Sequence, residues 1–321
     1  MKLNLKIKII GLALIALTAC KKETAPHIDV LQPGTNNSGT ASGADLKAFF
    51  NSNLANAEQS FTIDAVNPSL ITGNQGTTIQ FNPNSFETMS GQNVVGNVQI
   101  KLLEIFSKEQ MILLNKPTMA NNPAGGLAPL ISGGETRITA IQNGQTLRLK
   151  PGMDYALSVP APNGVEPNMG LFYGENGNDT LIWTLADSAN FNMQGNNYFP
   201  FPTALSWINC DYFYNNPNPK TTVQVQMPTG LNGTNSAIFI SFDGLNSLAQ
   251  LYNFSGGVFT SSPNYQLPIG LPVHFIALAI INGNPHASIV SSTITSNHLE
   301  IMPTLTQMTT AQLSTALANL P

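Results

Sequence analysis

Three of the four histidines stand at intervals of twelve residues near the carboxyl end, at His274, His286 and His298. In a β meander this spacing can bring side chains onto neighbouring strands, and three imidazoles together would suit Zn²⁺. Each histidine has apolar or hydroxyl neighbours, and no carboxylate or cysteine lies at ligand spacing. We therefore predict no metal site, and these histidines and Asp179 remain as the candidates if one exists.

Cys210 lies in the run Trp207-Ile208-Asn209-Cys210-Asp211 and is the one cysteine besides Cys20. A thiol becomes a nucleophile when a nearby base or positive charge favours the thiolate. The sequence identifies no such base, and Gly-x-Ser-x-Gly, His-Glu-x-x-His and the phosphate-binding glycine loop are all absent. We interpret Cys210 as a small buried hydrophobic residue, and we expect no catalytic residue and no cofactor.

A polar turn after residue 174 offers oxygen ligands of the kind that Ca²⁺ prefers, at Glu175, Asn176, Asn178 and Asp179. The same residues make an ordinary hairpin turn, and the spacing lacks the terminal bidentate glutamate of an EF-hand. Both interpretations stay open.

The densest aromatic run follows, and it has two interpretations. Exposed rings would form a platform for sugars or peptides, with Trp207, Tyr212 and Tyr214 as the ligand-binding residues. Buried rings would form the seam between two domains, which we favour because aromatic residues next to a linker commonly cover a neighbouring domain. The run comprises Tyr198, Phe199, Phe201, Trp207, Tyr212, Phe213 and Tyr214.

The first nineteen residues have the order of a secretion signal. Three lysines precede an apolar run from Ile9 to Leu17, which is too short to cross a hydrocarbon core of ~30 Å. Leu17-Thr18-Ala19-Cys20 resembles the bacterial lipobox. This resemblance predicts cleavage between Ala19 and Cys20 and acylation of Cys20, with palmitate among the acyl chains. Since burial of acyl chains contributes roughly 0.8 kcal/mol per CH₂, several chains would hold the protein permanently at membrane lipid.

Charge excludes one class of partner. The leader holds three of the 13 basic residues, which leaves ten against 17 acidic residues and a formal charge of about −7. Nucleic acid is therefore not expected as a partner, because binding phosphates requires a basic face. After Lys220 the chain has no Lys or Arg, and its acidic residues there are Asp243 and Glu300.

Composition divides the chain into four segments. Residues 1–19 are the signal peptide, and residues 20–43 form a polar, Thr-, Asn- and Ser-rich tether that spans about 25–30 Å as a coil. A polar break at residues 187–197 predicts a boundary between a β-sandwich domain over 44–187 and a second β-rich domain over 198–321.

The fold class predicted for these domains is mainly β, with two β-sandwich-like domains, a short helix at the amino end and another at the carboxyl end. Apolar spacing predicts the first helix over Asp45–Ala57. Thr309 and Gln312 have capping-box spacing ahead of the last helix. Asn143-Gly144 and Asn282-Gly283 predict type I′ hairpin turns. The predicted strands are Ile138–Ile141, Leu147–Leu149, Met153–Val159, Met169–Tyr173, Leu181–Leu185, Val223–Met227, Ala237–Phe242 and Val273–Ile281.

The predicted first domain contains the motifs Gly76-Thr77-Thr78-Ile79, Asn84-Ser85-Phe86, Gly133-Gly134-Glu135 and Leu171-Phe172-Tyr173-Gly174. In these motifs it resembles the first domain of a group of uncharacterised lipoproteins of the Bacteroidota. Residues 207–211 and Leu267-Pro268-Ile269-Gly270 resemble the second domain of the same group, although Tyr212 stands where a basic residue is expected. The first-domain pattern is distantly similar to the small β-sandwich of ankyrins and netrin receptors, an interaction module.

These observations predict a lipid-anchored cell-envelope protein, most consistent with the outer membrane, that binds or scaffolds without catalysis. Lys21-Lys22-Glu23 partly resembles a surface-export tag but lacks the second adjacent acid, so both the surface and the periplasmic face stay open. Envelope proteins or extracellular glycans are the expected partners. Two alternatives also stay open: a hydrolase of polysaccharide or peptidoglycan, and a calcium- or sugar-dependent adhesin.

Overall fold

The computed structural model describes residues 39–321 except 163, 178–179 and 187–190. Ala19, Cys20, most of the predicted tether, and Asn178 and Asp179 lie outside the described residues. The described part falls within one compact unit, Asn37–Pro321.

The described residues contain three helices, and each begins after an N-cap residue with a hydroxyl side chain. The helices are α1 (Gly43–Ala57), α2 (Lys108–Leu113) and α3 (Thr310–Ala318). At the start of α1, the Ser42 hydroxyl accepts a hydrogen bond from the Asp45 amide. The predicted capping box of Thr309 and Gln312 is confirmed at α3. The sequence analysis missed α2, whose Ser107 and Gln110 also form a capping box. No helix among the described residues is long and apolar enough to span a membrane.

The first half of the described chain folds into two sheets. A sheet of nine strands follows the order β1-β5-β7-β14-β10-β11-β6, with β4 and β8 attached beside β7. Because β6 pairs with both β11 and β7, part of this sheet closes into a ring. The second sheet has the order β12-β13-β9-β3-β2. The strands are β1 (Gln59–Asp64), β2 (Ser69–Thr72), β3 (Thr78–Phe81), β4 (Phe86–Thr88), β5 (Asn97–Ile105), β6 (Met119–Asn121), β7 (Leu127–Gln142), β8 (Gln145–Leu149), β9 (Tyr155–Pro160), β10 (Gly170–Gly177), β11 (Thr180–Leu185), β12 (Phe191–Gln194), β13 (Asn197–Pro200) and β14 (Trp207–Phe213).

The second half contributes one five-stranded sheet, β18-β17-β22-β23-β25, one four-stranded sheet, β19-β20-β16-β24, and the short pair β15-β21. The predicted strand Val273–Ile281 is confirmed as part of β22, which is buried along most of its length. The strands are β15 (Lys220–Thr221), β16 (Val223–Gln226), β17 (Ser236–Phe242), β18 (Leu248–Leu251), β19 (Asn253–Ser255), β20 (Val258–Thr260), β21 (Leu267–Pro268), β22 (Pro272–Ile281), β23 (Asn284–Thr293), β24 (His298–Ile301) and β25 (Thr306–Gln307).

Three apolar cores separate the sheets into layers. The first core joins Ile100 and Ile208 of the nine-stranded sheet to Leu157 of the sheet beside it. The third core joins Phe275 of β22 to Val225 of β16. The second core contains Trp207 of β14 and Phe239 of β17, and α1, α2 and α3 contribute Phe50, Met111 and Leu317 to it. The fold is therefore mainly β, with two sandwich-like sheet pairs and helices at both ends, as the sequence predicts.

The predicted boundary at residues 187–197 is not where the sheets separate. β13 pairs with β9, and β14 pairs with β7 and β10, so strands after the polar break complete both sheets of the first half. The sheets of the second half begin with β15, at Lys220. The described part of this polar stretch, residues 191–197, is the β12–β13 hairpin at the edge of the five-stranded sheet, where exposed polar residues are expected.

Both predicted hairpin turns are confirmed. Asn143 and Gly144 join β7 to β8 with φ angles of 51° and 76°. Asn282 and Gly283 join β22 to β23 with φ angles of 51° and 75°. Positive φ at both central positions is the type I′ geometry that matches the twist of the paired strands.

Candidate functional site

An open groove of about 430 Å³ lies where the two halves meet, and we call it the Tyr214 groove. Its walls come from the connection between β6 and β7, the stretch from β14 to β16, and the connection between β20 and β21. Asn122, Tyr214, Lys220, Asn264 and Gln266 are among its lining residues. The volume lies within the range of roughly 300–1,000 Å³ that small-molecule sites occupy.

Hydrogen bonds between backbones fix the walls of the groove. The Leu127 amide donates to the Asn264 carbonyl at 2.8 Å, and the Tyr214 amide donates to the Pro129 carbonyl at 2.9 Å. Gly126 permits the first contact, because a Cβ there would lie 2.7 Å from the Asn264 oxygen and φ is +72°. The buried Tyr265 hydroxyl donates to the Gln250 carbonyl at 2.8 Å, which ties the β20–β21 connection to β18. The groove is therefore preorganised.

The Tyr214 ring is held in place on both sides. It packs edge to face against Phe242 with ring centroids 5.4 Å apart, and its hydroxyl accepts a hydrogen bond of 3.0 Å from Asn216 Nδ2. Part of the ring stays accessible and lines the groove. Of the three predicted ligand-binding aromatics, Tyr214 is the one that the structure places at a groove.

Trp207 and Tyr212 do not line the Tyr214 groove. Trp207 is 3% exposed and lies in the second core, edge to face with Trp183. Its ring also contacts the charged ends of Lys116 and Arg137, at 5.3 and 5.1 Å from the centroid. Tyr212 is half-buried against the first core. Trp207 therefore cannot present a face to a ligand, because the core covers it.

A second cavity of about 460 Å³ lies beside α1. Leu46, Phe50 and Leu54 form its apolar floor, and Lys47 and Lys116 contribute its charges. Neither this cavity nor the Tyr214 groove includes an Asp or Glu among its described lining residues. A carboxylate pair of the kind that glycosidases use is therefore absent from both described cavities.

A buried polar cluster that the sequence does not predict lies in the nine-stranded sheet. Glu135 of β7 lies opposite Asn209 of β14, and Asp211 lies opposite Ser132. All four side chains are buried, and Glu135, Asn209 and Asp211 have no exposed surface. Asn209 Nδ2 donates to Asp211 Oδ2 at 2.6 Å, and the Ser132 hydroxyl donates to Asn209 Oδ1 at 3.0 Å. A substrate cannot reach these carboxyl groups, so the pair does not supply a hydrolytic site.

Burial governs the protonation of this cluster. It raises the pKa of Glu135 well above the usual range, and the charge of Asp211 adds to that effect, while Lys116 opposes it. Burial also raises the pKa of Asp211 well above its usual range. Neither oxygen of Glu135 accepts a hydrogen bond from any residue that the structure describes. Because a buried carboxylate without a compensating partner is costly, burial favours the protonated form of both groups.

Cys210 faces the first core and is fully buried. Burial raises the pKa of its thiol well above the usual value, and Asp211 adds to the shift. The thiol is therefore protonated at neutral pH and is not activated as a nucleophile.

The structure does not bring the three histidines together. His274 Nδ1 lies 2.7 Å from Asp243 Oδ1, His286 Nδ1 lies 3.0 Å from the Asn284 carbonyl, and His298 stacks on Phe275. No group of three or more His, Cys, Asp or Glu side chains suited to a metal occurs among the described residues. Asp179, the remaining candidate, lies outside them.

His274 and Asp243 are in contact, but no serine hydroxyl among the described residues hydrogen-bonds to His274 to complete a Ser-His-Asp triad. Ser241 lies directly opposite His274 in the β17–β22 ladder. Its hydroxyl is fully buried and bonds to no described residue, His274 included. A hydrolytic triad requires the serine hydroxyl to hydrogen-bond to the imidazole, so these three residues do not form one.

The predicted calcium turn is only partly described. Glu175 is exposed on β10, and Asn178 and Asp179 lie outside the described residues. The structure therefore leaves this ligand set as a sequence prediction.

The chain matches no protein-family model, and a search of curated proteins finds none that is similar to it.

Proposed function

We propose that this chain is a cell-envelope lipoprotein, anchored through Cys20, whose β-rich body binds an envelope or extracellular component without chemically changing it. The observation that carries the proposal is the Tyr214 groove: it is preorganised, open to solvent, lined by amide and hydroxyl side chains, and free of carboxylates among its described lining residues. Binding sites with a few convergent polar groups and no catalytic groups suit recognition rather than catalysis.

The predicted signal peptide and tether support the proposed location at the cell envelope. Acylation at Cys20 would hold the protein at the membrane, and the tether predicted over residues 20–43 would let the groove reach components some 25–30 Å above the headgroups. The resemblance to Bacteroidota lipoproteins agrees with this location, and the outer membrane remains our prediction.

A hydrolase has less support. The buried pair Glu135 and Asp211 is inaccessible, Cys210 is not activated, and the described cavities carry no acid pair. The alternative of a calcium-dependent adhesin still depends on Asp179 and its neighbours.

Site-specific photo-crosslinking in intact cells tests the proposed function. A photoreactive amino acid at position 266, in the groove, is compared with the same amino acid at position 224, which is exposed on β16 outside the groove. We expect a crosslinked product of defined mass at 266 and none at 224. Equal yields at both positions, or no product at either, would contradict a binding role for the groove.

A further inference from the structure

We infer that the Tyr214 groove takes a saccharide. This inference rests on the proposed binding function and adds the chemical class of the ligand. Of the three aromatic residues that the sequence offered as a possible sugar platform, it places the ligand at Tyr214 and away from Trp207 and Tyr212.

The first argument is the supply of hydrogen-bonding groups. The side chains of Asn264, Gln266 and Lys220 line the groove, and none of them hydrogen-bonds to another described residue. A primary amide offers two donor hydrogens and one acceptor oxygen. Two such amides in one groove match the alternating donors and acceptors of neighbouring hydroxyl groups on a sugar ring.

The second argument is the apolar surface between these polar groups. The Tyr214 ring and the exposed ring of Pro263 both line the groove. Saccharides have C–H faces as well as hydroxyl edges, and an aromatic ring that is fixed by packing provides area for such a face at little entropic cost. Tyr214 is fixed by Phe242 and Asn216, as described above.

The third argument is the charge of the groove. Lys220 is its one charged side chain among the described lining residues. A groove with one cation and no anion accepts neutral or acidic sugars and disfavours cationic peptides. Most of the lining residues that the structure describes are polar or small, whereas the anchoring residues of a protein partner are typically large aromatic or Arg side chains that fill well-packed pockets.

The experiment uses the full-length mature protein in detergent micelles on an array of neutral and uronic-acid-containing oligosaccharides. Calorimetry with the array's strongest-binding oligosaccharide then compares the wild type with Gln266→Ala and Lys220→Ala. Gln224→Ala and Lys150→Ala are the matched controls, because both residues lie outside the groove. Gln266 and Lys220 are exposed, so their truncation leaves the core intact.

We expect Gln266→Ala to weaken binding about tenfold, which is the loss of roughly one to two hydrogen bonds, and the control variants to bind as the wild type does. Lys220→Ala should weaken uronic-acid-containing oligosaccharides more than neutral ones. If the wild type binds and neither groove variant weakens binding, the location is overturned. If no oligosaccharide on the array binds, the inference that the ligand is a saccharide is overturned. The proposed binding function would still stand in that case if a protein crosslinks at position 266 and not at position 224.

Discussion

Asn209 and Asp211 lie two residues apart on β14, and the Asn209 amide donates a hydrogen bond of 2.6 Å to the Asp211 carboxyl group inside the nine-stranded sheet. Residues two apart in a strand normally share a face, and here a register shift between them adjusts their spacing. Glu135 lies across from Asn209, so two carboxyl groups and an amide share one buried environment.

This cluster predicts a stability that falls as pH rises. Because the folded-state pKa values of Glu135 and Asp211 are raised, the folded chain binds more protons than the unfolded chain above the usual values of 4.5 and 3.8. The contribution is fully present below those values and is lost as pH rises through the folded-state pKa, by up to about 1.4 kcal/mol per pH unit for each proton. Urea unfolding between pH 5 and 9 measures it.

Isosteric variants separate this effect from other titrations. The variant Glu135→Gln should flatten the decline, since an amide cannot ionise, whereas Glu175→Gln on the exposed part of β10 should not. A wild-type slope that Glu135→Gln leaves unchanged would show that Glu135 is not held protonated.

The opposite sign is expected at Glu58. Its carboxylate lies 2.6 Å from Lys101 Nζ and 2.6 Å from Arg137 Nη2. Burial acts to raise its pKa, but the hydrogen bond to Lys101 and the charge of Arg137 outweigh that effect, so the pKa is lowered. The stabilisation is therefore present above the usual value of 4.5 and is lost as pH falls through the folded-state value.

We expect Glu58→Gln to lower the free energy of unfolding by about 1 kcal/mol at pH 7 and by much less at pH 3. Glu87→Gln serves as the comparison, because its partner Arg148 has a side chain that is 48% exposed and should contribute less. The interpretation fails if Glu58→Gln costs as much at pH 3 as at pH 7.

Cys210 should resist thiol reagents in the folded protein. In a mature chain that carries Cys20→Ser, Cys210 is the one thiol, so reaction with a chromogenic disulfide reports on it alone. We expect reaction only on the timescale of unfolding, and complete reaction in denaturant, because the thiol is buried and protonated. An added thiol at the exposed Ser262→Cys provides the fast reference. Equal rates at both positions would contradict the burial of Cys210.

The end of the chain offers a test of local stability. The Thr309 hydroxyl accepts a hydrogen bond of 3.1 Å from the Gln312 backbone amide, and the Thr309 backbone amide donates one of 2.8 Å to Gln312 Oε1. Removal of such a cap costs about 1 kcal/mol, so Thr309→Ala should lower the free energy of unfolding by about that amount. The exposed neighbour Thr310→Ala is the control, and a loss there as large as at Thr309 would argue against the cap.

Local signals made the regular elements predictable. Asn-Gly pairs determined both hairpins, because few other dipeptides accept two positive φ angles. A capping box and an apolar stripe determined α3. Neither signal depends on distant residues, and so each can be read from one stretch of sequence.

Long-range pairing could not be predicted in the same way. The polar break at 187–197 suggested a boundary, yet Trp207–Phe213 inserts between β7 and β10, and no local pattern encodes which strands a strand will join. The same limit applies to the site. Tyr214 was one of three candidates, and what distinguishes it from Trp207 is burial, which depends on contacts with β17 and the helices. Asn264 and Gln266 join it only because the β20–β21 connection folds back onto Leu127.

The central claim is that acylated Cys20 holds this β-rich body at the cell envelope, and the mass of the mature protein tests it most directly. Mass spectrometry of the protein from the membrane fraction should show an amino-terminal Cys20 that carries a diacylglyceryl group and its acyl chains, and the Cys20→Ser variant should leave the membrane fraction. An unmodified thiol at Cys20 in a freely soluble wild-type protein would contradict the claim.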